Sequence, residues 1–344
     1  MIRKPATLIT GASGEIGHGL IDQVAASGTP VITLDLTPLE PALVGKVSRE
    51  LVGSILDRGL LDRVLAEFAV DTIFHLAALL STRSEFSPLT AHQVNVEGTL
   101  NLLEFAERQS EAHGRPVIFM YPSSIAVYGL PDLETKHRAG RVHEDEWTSP
   151  TTMYGCNKLS CEQLGEYYTK HYKQLAADAP RGRVDFRAVR FPGLISAQTV
   201  PSGGTSDYGP EMVHAAARGE AHDCFVRPDT KIPFMAMPDG VHALVTLAQA
   251  PRARLLRTAY NVGAFAVSAE EIRQEVIRAF PSARIGFVND AKRQGIVDTW
   301  PEDVDDRAAR RDWEFAPQYD FTTAFREYLI PTIRRRYAKD GAAS

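Results

Sequence analysis

Thr7-Leu8-Ile9-Thr10-Gly11-Ala12-Ser13-Gly14-Glu15-Ile16-Gly17 sets a short apolar strand, a turn with three glycines and the start of a helix side by side. Glycines permit a tight turn and a close backbone approach to a ligand, and the free amides of a helix start attract a pyrophosphate. The spacing is GxxGxxG. The next apolar strand, Val31 to Leu34, is followed by Asp35, 21 residues after Gly14, where a carboxylate binds both ribose hydroxyls of NAD and repels the extra phosphate of NADP. NAD is therefore the expected cofactor, with Gly11, Gly14, Glu15, Ile16, Gly17 and Asp35 among its contacts. Asp57 is placed either near the adenine or as the N-cap of a helix over Arg58 to Phe68.

Working outward, strand-like Thr7–Ile9, a helix over Ile16–Ala26, strand Val31–Leu34, a helix over Leu60–Phe68 and strand Thr72–Leu76 alternate. One long helix from Leu89 to Arg108 and the strand Val117–Tyr121 follow. Parallel strands need crossover helices, so the order predicts an α/β fold, a doubly wound parallel sheet with ligands at the strands' carboxyl ends. Pro131 to Pro150 reads as an excursion, Tyr154 to Lys173 as a helix, and Ala176 to Arg183 as a polar turn. Past Pro192 the alternation breaks. Residues 1–191 are expected to form the nucleotide-binding domain and 192–344 mainly a smaller, partly interleaved substrate lobe, with a return to the sheet near 233–263 such as Val241–Ala248. Pro201 to Gly204 is a loop, Tyr208 to Arg218 a helix, and Ser268-Ala-Glu-Glu271 has capping-box spacing for a helix to Phe280. The tail from Tyr337 to Ser344 is expected to fray.

Composition narrows the class. The 344 residues, 44% hydrophobic and 24% charged, fit an ordinary globular chain, and the net charge of −5 argues against a dedicated nucleic-acid binder. No run approaches the roughly 18 apolar residues of a membrane span. Met1-Ile2-Arg3-Lys4 leads into a strand rather than a signal-peptide core. Cys156, Cys161 and Cys224, odd in number and without a CxxC pair, point to a reducing compartment, by default the cytoplasm, and the ten histidines show no metal-ligand spacing. Cys156 is expected to be packed rather than nucleophilic.

Tyr154-Gly-Cys-Asn-Lys158 puts a phenol and an ammonium one helical turn apart. A phenol titrates near pH 10, so it serves as a proton acceptor only when positive charge stands beside it; Lys158 and the cationic nicotinamide supply that charge. About thirty residues earlier, the strand Val117–Tyr121 runs into Pro122-Ser123-Ser124, and Ser124 at a strand's carboxyl end can hydrogen-bond a forming alkoxide.

Together these residues resemble the extended short-chain dehydrogenase/reductase family: GxxGxxG at Gly11/Gly14/Gly17, His75-Leu76-Ala77-Ala78 at a strand end, Ser123 to Gly129, and Tyr154/Lys158. The resemblance covers most of residues 5 to 195. It implies that Ser124, Tyr154 and Lys158 are catalytic, that Leu76, Ala77 and Ala78 join the cofactor contacts with Tyr154 and Lys158, and that Asn95 is the family's buried helix Asn supporting a proton relay. Asn95 read without the family is an Asn between Val94 and Val96.

His75 to Ser81, Arg190 to Ser196, Pro201 to Tyr208, Pro233 to Asp239 and Thr299 to Trp313 are similar to the short-chain type of L-threonine 3-dehydrogenases. That likeness implies substrate contacts at Ser81, Ser124, Thr205, Ser206 and Asp207, and places Pro192 and Gly193 against the nicotinamide. Asp207 is read either as the partner of a substrate ammonium or as the N-cap of the next helix. Trp300 and Trp313 are expected in the core. Longer segments near 131–148 and 176–183, with Arg83 and Phe86 after Ser81, depart from that type. The expected reaction is NAD-dependent oxidation of a small β-hydroxy amino acid, most of all L-threonine. The alternative is a nucleotide-sugar 4-epimerase or dehydratase that retains NAD, with Arg218, Arg252 or Arg284 facing a diphosphate; a nucleotide sensor has no need of the complete Ser/Tyr/Lys set. Apolar faces on the two long helices lead to a homodimer as the expected assembly.

Overall fold

The computed structural model describes residues 3–176, 182–201 and 203–340. β1 (Lys4–Thr10) passes through the glycine turn into α1 (Glu15–Ala26), followed by β2 (Val31–Asp35), α2 (Pro41–Val44), β3 (Arg49–Val52), α3 (Arg58–Glu67) and β4 (Phe68–His75). After α4 (Ser81–Phe86) and α5 (Pro88–His92), a π-helical turn at Gln93–Glu97 leads into α6 (Gly98–His113) and β5 (Val117–Ser124). α7 (Leu133–Ala139) and β6 (Arg141–Val142) precede α8 (Met153–Lys170), β7 (Val184–Phe191) and β8 (Gly193–Ile195). Then come α9 (Tyr208–Arg218), β9 (Ala221–Cys224), β10 (Lys231–Ala236), α10 (Met237–Gln249), β11 (Ala259–Asn261) and β12 (Phe265–Ser268). The chain closes with α11 (Ala269–Ala279), β13 (Arg284–Phe287), α12 (Ala291–Asp298), β14 (Asp303–Val304), α13 (Arg307–Trp313), α14 (Phe321–Thr323) and α15 (Ile330–Asp340).

Among the described residues the central sheet has seven strands in the order β11-β7-β5-β4-β1-β2-β3. Every pairing in it is parallel, so the doubly wound α/β expectation holds. Successive residues of β1 face opposite layers: Leu8 packs with Leu60, Leu102 and Phe186, while Ile9 packs with Leu20, Leu244 and Val241. Both faces are thus buried under helices, as a parallel sheet requires. The chain leaves β1 in one direction for β2 and β3, then restarts on its other side with β4, which opens a crevice at the carboxyl ends of β1 and β4. A third core, around Tyr208, Phe234 and Phe325, belongs to the second half of the chain, where β8, β10 and β12 form a smaller sheet.

Several expectations are corrected. Val241–Ala248 is not a strand but lies in α10, where Pro238 sits in the first turn and Val241, Leu244, Leu247 and Ala248 are buried at helical spacing. The strand that does join the central sheet is Ala259–Asn261, beside β7. Leu89–Arg108 is not one continuous α-helix, because the π turn interrupts it, and the helical stretch runs on to His113. The excursion before α8 carries α7 and β6, and β6 pairs with β14. The tail is helical as far as Asp340 rather than frayed from Tyr337; residues 341–344, like 177–181 of the polar turn and Ser202 of the following loop, lie outside the described residues. Ser268 and Glu271 do form a reciprocal capping box, and Trp300 and Trp313 are buried.

Candidate functional site

Gly11 adopts φ +67°, and a Cβ there would stand 2.5 Å from the Ala77 amide nitrogen. A Cβ on Gly17 would meet the Ala12 carbonyl oxygen at 2.1 Å. These two glycines let the turn lie on the end of β4 and the first turn of α1 lie on the loop. Gly14, the N-cap of α1, has no side chain capping the helix, which leaves the first-turn amides without a side-chain partner, and a Cβ there would stand 3.2 Å from the Gly11 carbonyl oxygen. Such a cradle fits a pyrophosphate. At the end of β2, Asp35 Oδ2 accepts from Ser13 N (3.0 Å) and Oδ1 from Thr37 N (3.1 Å), which holds the carboxylate beside the turn. Ile16 packs against the core. The Glu15 carboxyl is raised by burial and then by Asp207, and it accepts from Thr199 of the second lobe. Asp57 caps α3 by accepting from Leu60 N, so the capping alternative is the one its side chain shows.

The end of β4 is wired by a buried imidazole. Thr10 Oγ1 meets His75 Nδ1 at 2.8 Å, His75 Nε2 meets Thr99 Oγ1 at 2.9 Å, and Thr99 Oγ1 donates to the Asn95 carbonyl. Because Thr99 spends its proton on Asn95, His75 must donate from Nε2 and accept at Nδ1. Burial, then Lys158, pushes His75 down to about 3, which keeps the ring neutral. Asn95 uses its side chain elsewhere: Leu79 N donates to Oδ1 (2.7 Å) and Nδ2 donates to Leu79 O (3.0 Å).

Around the expected catalytic set, Thr152 caps α8 by accepting from Gly155 N, which starts the helix one residue before Tyr154. Lys158 Nζ donates to Pro122 O (2.6 Å) and lies 5.5 Å from the centre of the Tyr154 ring and 4.5 Å from that of Tyr121. Burial holds the Tyr154 phenol well above its usual range and lowers Lys158 to about 8, against the pull of Cys161 and Glu162. Ser124 Oγ accepts from Ala126 N (3.1 Å), which leaves its proton for an outside acceptor. Beneath this centre, Arg190 forks onto Glu162 and donates to Tyr128 Oη (2.9 Å), while Ser123 Oγ donates to Glu162. The pair is almost wholly buried. Cys156, expected to be packed, is instead exposed; Cys161 and Cys224 are buried.

On the side expected to receive substrate, Thr205 Oγ1 donates to Ser81 Oγ at 3.2 Å, joining segments 124 residues apart in sequence. Ser206 packs so near Gly193 that a Cβ there would stand 3.3 Å from the Ser206 Cβ. Asp207 does not cap α9 with its side chain; Oδ2 accepts from Gly204 N (2.6 Å) and closes the turn on itself. Pro192 links β7 to β8. Residues missed by sequence reasoning hold this turn: Thr82 Oγ1 donates to Gly203 O (2.7 Å) and Arg293 Nη2 to Gly204 O (3.0 Å). Thr82 directly follows the His75 to Ser81 segment; Arg293 carries no local signal. Arg83 and Phe86 are exposed on α4. Among the described residues no group of three or more His, Cys, Asp or Glu is arranged to hold a metal ion, and no helix is long and apolar enough to cross a membrane.

Comparison with known proteins matches this geometry. A Staphylococcus haemolyticus protein described as an uncharacterized epimerase/dehydratase is 34% identical over 96% of this chain and 98% of its own. The Clostridium difficile L-threonine dehydrogenase structure superposes with a TM-score of 0.84 at 32% identity, covering 97% of this chain and 99% of that one. The holo form of a GalE-like L-threonine dehydrogenase from Cupriavidus necator gives 0.81 at 32% identity, with coverage of 97% and 99%. The model of the NAD dependent epimerase/dehydratase family matches residues 7–263, from the strand before the glycine turn to beyond β11. With an uncapped glycine cradle that fits a dinucleotide, and a Ser/Tyr/Lys set at the strand ends beside it, the chain belongs to that family, as an NAD-dependent oxidoreductase of the extended short-chain type.

Proposed function

We propose that this chain oxidises the secondary alcohol of L-threonine to 2-amino-3-oxobutyrate and releases NADH at each turnover. The observation that carries the substrate assignment is the Ser81–Thr205 contact. It sets small hydroxyls of both lobes beside Ser206 and Gly193, in a chain similar along 97% of its length to an L-threonine dehydrogenase. Ser81, Thr205 and Ser206 offer donors to a carboxylate, and Asp207 brings negative charge to the side that receives an ammonium. Of Arg218, Arg252 and Arg284, any of which could face a nucleotide-sugar diphosphate, the first two are engaged by Glu220 and Asp185.

NAD, when bound, would supply a cationic ring and a hydride acceptor for the carbinol carbon. The remaining work falls to the chain. Tyr154 Oη takes the proton of the substrate hydroxyl, and Ser124 donates to the same substrate oxygen as charge develops on it. Burial alone keeps the phenol protonated, so the Lys158 ammonium, fixed by the Pro122 carbonyl, is what makes the phenolate accessible. Asp35 would receive the adenosine ribose, Leu76, Ala77 and Ala78 would border the cofactor, and Pro192 and Gly193 would lie at its nicotinamide end.

The test is a panel of L-threonine, its stereoisomers, L-serine, 3-hydroxybutyrate and UDP-sugars with NAD, followed by NADH absorbance. NADH accumulating with L-threonine over many turnovers is the expected result. Silence with L-threonine, together with conversion of a UDP-sugar without net NADH, overturns the assignment in favour of an epimerase or dehydratase.

A further inference from the structure

α4 is six residues long, yet it touches three separate parts of the site. At its base, the buried Asn95 amide grips both backbone groups of Leu79, and Ser84 Oγ donates to the same Leu79 carbonyl (3.1 Å). Its first turn meets the substrate-side loop, with Ser81 Oγ accepting from Thr205 and Thr82 Oγ1 donating to Gly203 O. At its far end, Glu85 Oε1 accepts from Met153 N at 2.7 Å. Met153 is the first residue of α8 and the neighbour of Tyr154.

The Met153 amide is one of the donors that a helix start cannot satisfy within the helix. Thr152 serves Gly155 N from the adjoining residue, so that cap is local and says nothing about where α8 stands relative to the substrate loop. Glu85 reaches Met153 across 68 positions of sequence, so its bond does fix that relation. Thr82 and Glu85 are three residues apart, one turn of helix, and lie on neighbouring sides of a single rigid piece. A carboxylate at a helix amino terminus is also favoured by the helix dipole.

We propose that Glu85 is a positioning residue: through Met153 it sets Tyr154 against the substrate, while Thr82 ties the same short helix to the 203–205 loop. The inference rests on the reading of Tyr154 as proton acceptor. Since Glu85 is exposed, its replacement leaves the core intact. Misplacing a reacting group by a fraction of an ångström to an ångström slows chemistry by about ten- to a hundredfold without loosening substrate.

The experiment compares the full-length wild type with Glu85→Ala, Glu85→Gln, Thr82→Val and the Glu85→Ala/Thr82→Val double variant. It measures kcat, both KM values and the isotope effect of L-threonine deuterated at the carbinol carbon. Glu85→Ala is expected to lower kcat about tenfold with both KM values within about twofold, and with an isotope effect at least as large as that of the wild type. Glu85→Gln, which keeps an acceptor oxygen, should recover most of kcat. The double variant should fall no more than about twofold below the worse single one, as for residues acting through one element. The positioning role is overturned by a kcat within twofold of wild type in Glu85→Ala, by Glu85→Gln as slow as Glu85→Ala, or by slowed turnover without an isotope effect. If the wild type leaves L-threonine untouched, the substrate reading has failed by itself; the same variants are then compared on the alcohol that the panel identifies, where the same outcomes decide the role of Glu85.

Discussion

Replacing Lys158 with Met keeps the length of a buried side chain and removes its charge. With Nζ 5.5 Å from the Tyr154 ring centre, two unit charges at an effective dielectric of about 20 interact by about 3 kcal/mol. That is worth about two pH units on the phenol's ionisation. Lys158 itself titrates near 8, depressed by burial, so at pH 7 it is mostly charged and the full interaction is available to the wild type. Lys158→Met should therefore move the acid limb of kcat/KM upward by about two pH units and cost about a hundredfold at pH 7. Above pH 8 the gap between variant and wild type narrows, because the wild-type ammonium is losing its proton there. The assay is the pH profile of NADH formation from pH 6 to 10, with NAD affinity measured separately by fluorescence quenching. A profile that keeps its acid limb in place after the substitution would refute the electrostatic role, whatever the drop in rate.

Asp35→Ala should erode a preference for NAD over NADP, read as the ratio of kcat/KM values for the two cofactors; an unmodified protein equally efficient with both would count against the ribose role of Asp35. Glu162→Leu leaves the Arg190 guanidinium buried without its partner, so urea midpoints should show a loss of about 3 to 5 kcal/mol, and a change below about 1 kcal/mol would mean the pair is relaxed in solution. Glu107 has both carboxylate oxygens buried without a hydrogen bond and is raised to about 7 by burial, with Arg183 opposing. Its folded-state pKa lies above the unfolded value, so its contribution is full below about pH 4.5 and is lost as pH rises through 7. Glu107→Gln should accordingly lie much closer to the wild type in urea at pH 5 than at pH 8, where it exceeds it; the same difference at both values would remove Glu107 as the titrating group.

The fold and its nucleotide turn are legible because glycines at a strand–helix junction are a local pattern, and the candidate Ser/Tyr/Lys set stands out because two of its members lie one helical turn apart. What brings them together is not legible. Glu85 reaches Met153, Asn95 reaches Leu79, and Arg190 reaches Glu162 and Tyr128 through contacts that no spacing rule encodes. Val241–Ala248 was read as a strand because a short apolar run suits a buried strand and a buried helix equally well. The proline three residues before it, favoured in a first helical turn, was the available sign of a helix. The π turn at Gln93–Glu97 likewise leaves the apolar pattern of Leu89–Arg108 intact while changing its geometry, so periodicity alone passes over it.

The placement of β11 beside β7 bears on how the chain can be cut. A fragment ending at Phe191 would contain the glycine turn, Ser124, Tyr154 and Lys158, yet it would bare the β7 edge that Ala259–Asn261 covers. It would also strip Arg187, a buried cation, of the carbonyls of Leu247, Ala248 and Ala250 to which it donates. The guanidinium keeps Asp185 but loses three acceptors, and an open strand edge beside it invites pairing between copies. The nucleotide half is thus a poor module for shuffling or separate expression, and recombination that respects this architecture has to carry residues 247–261 along with it.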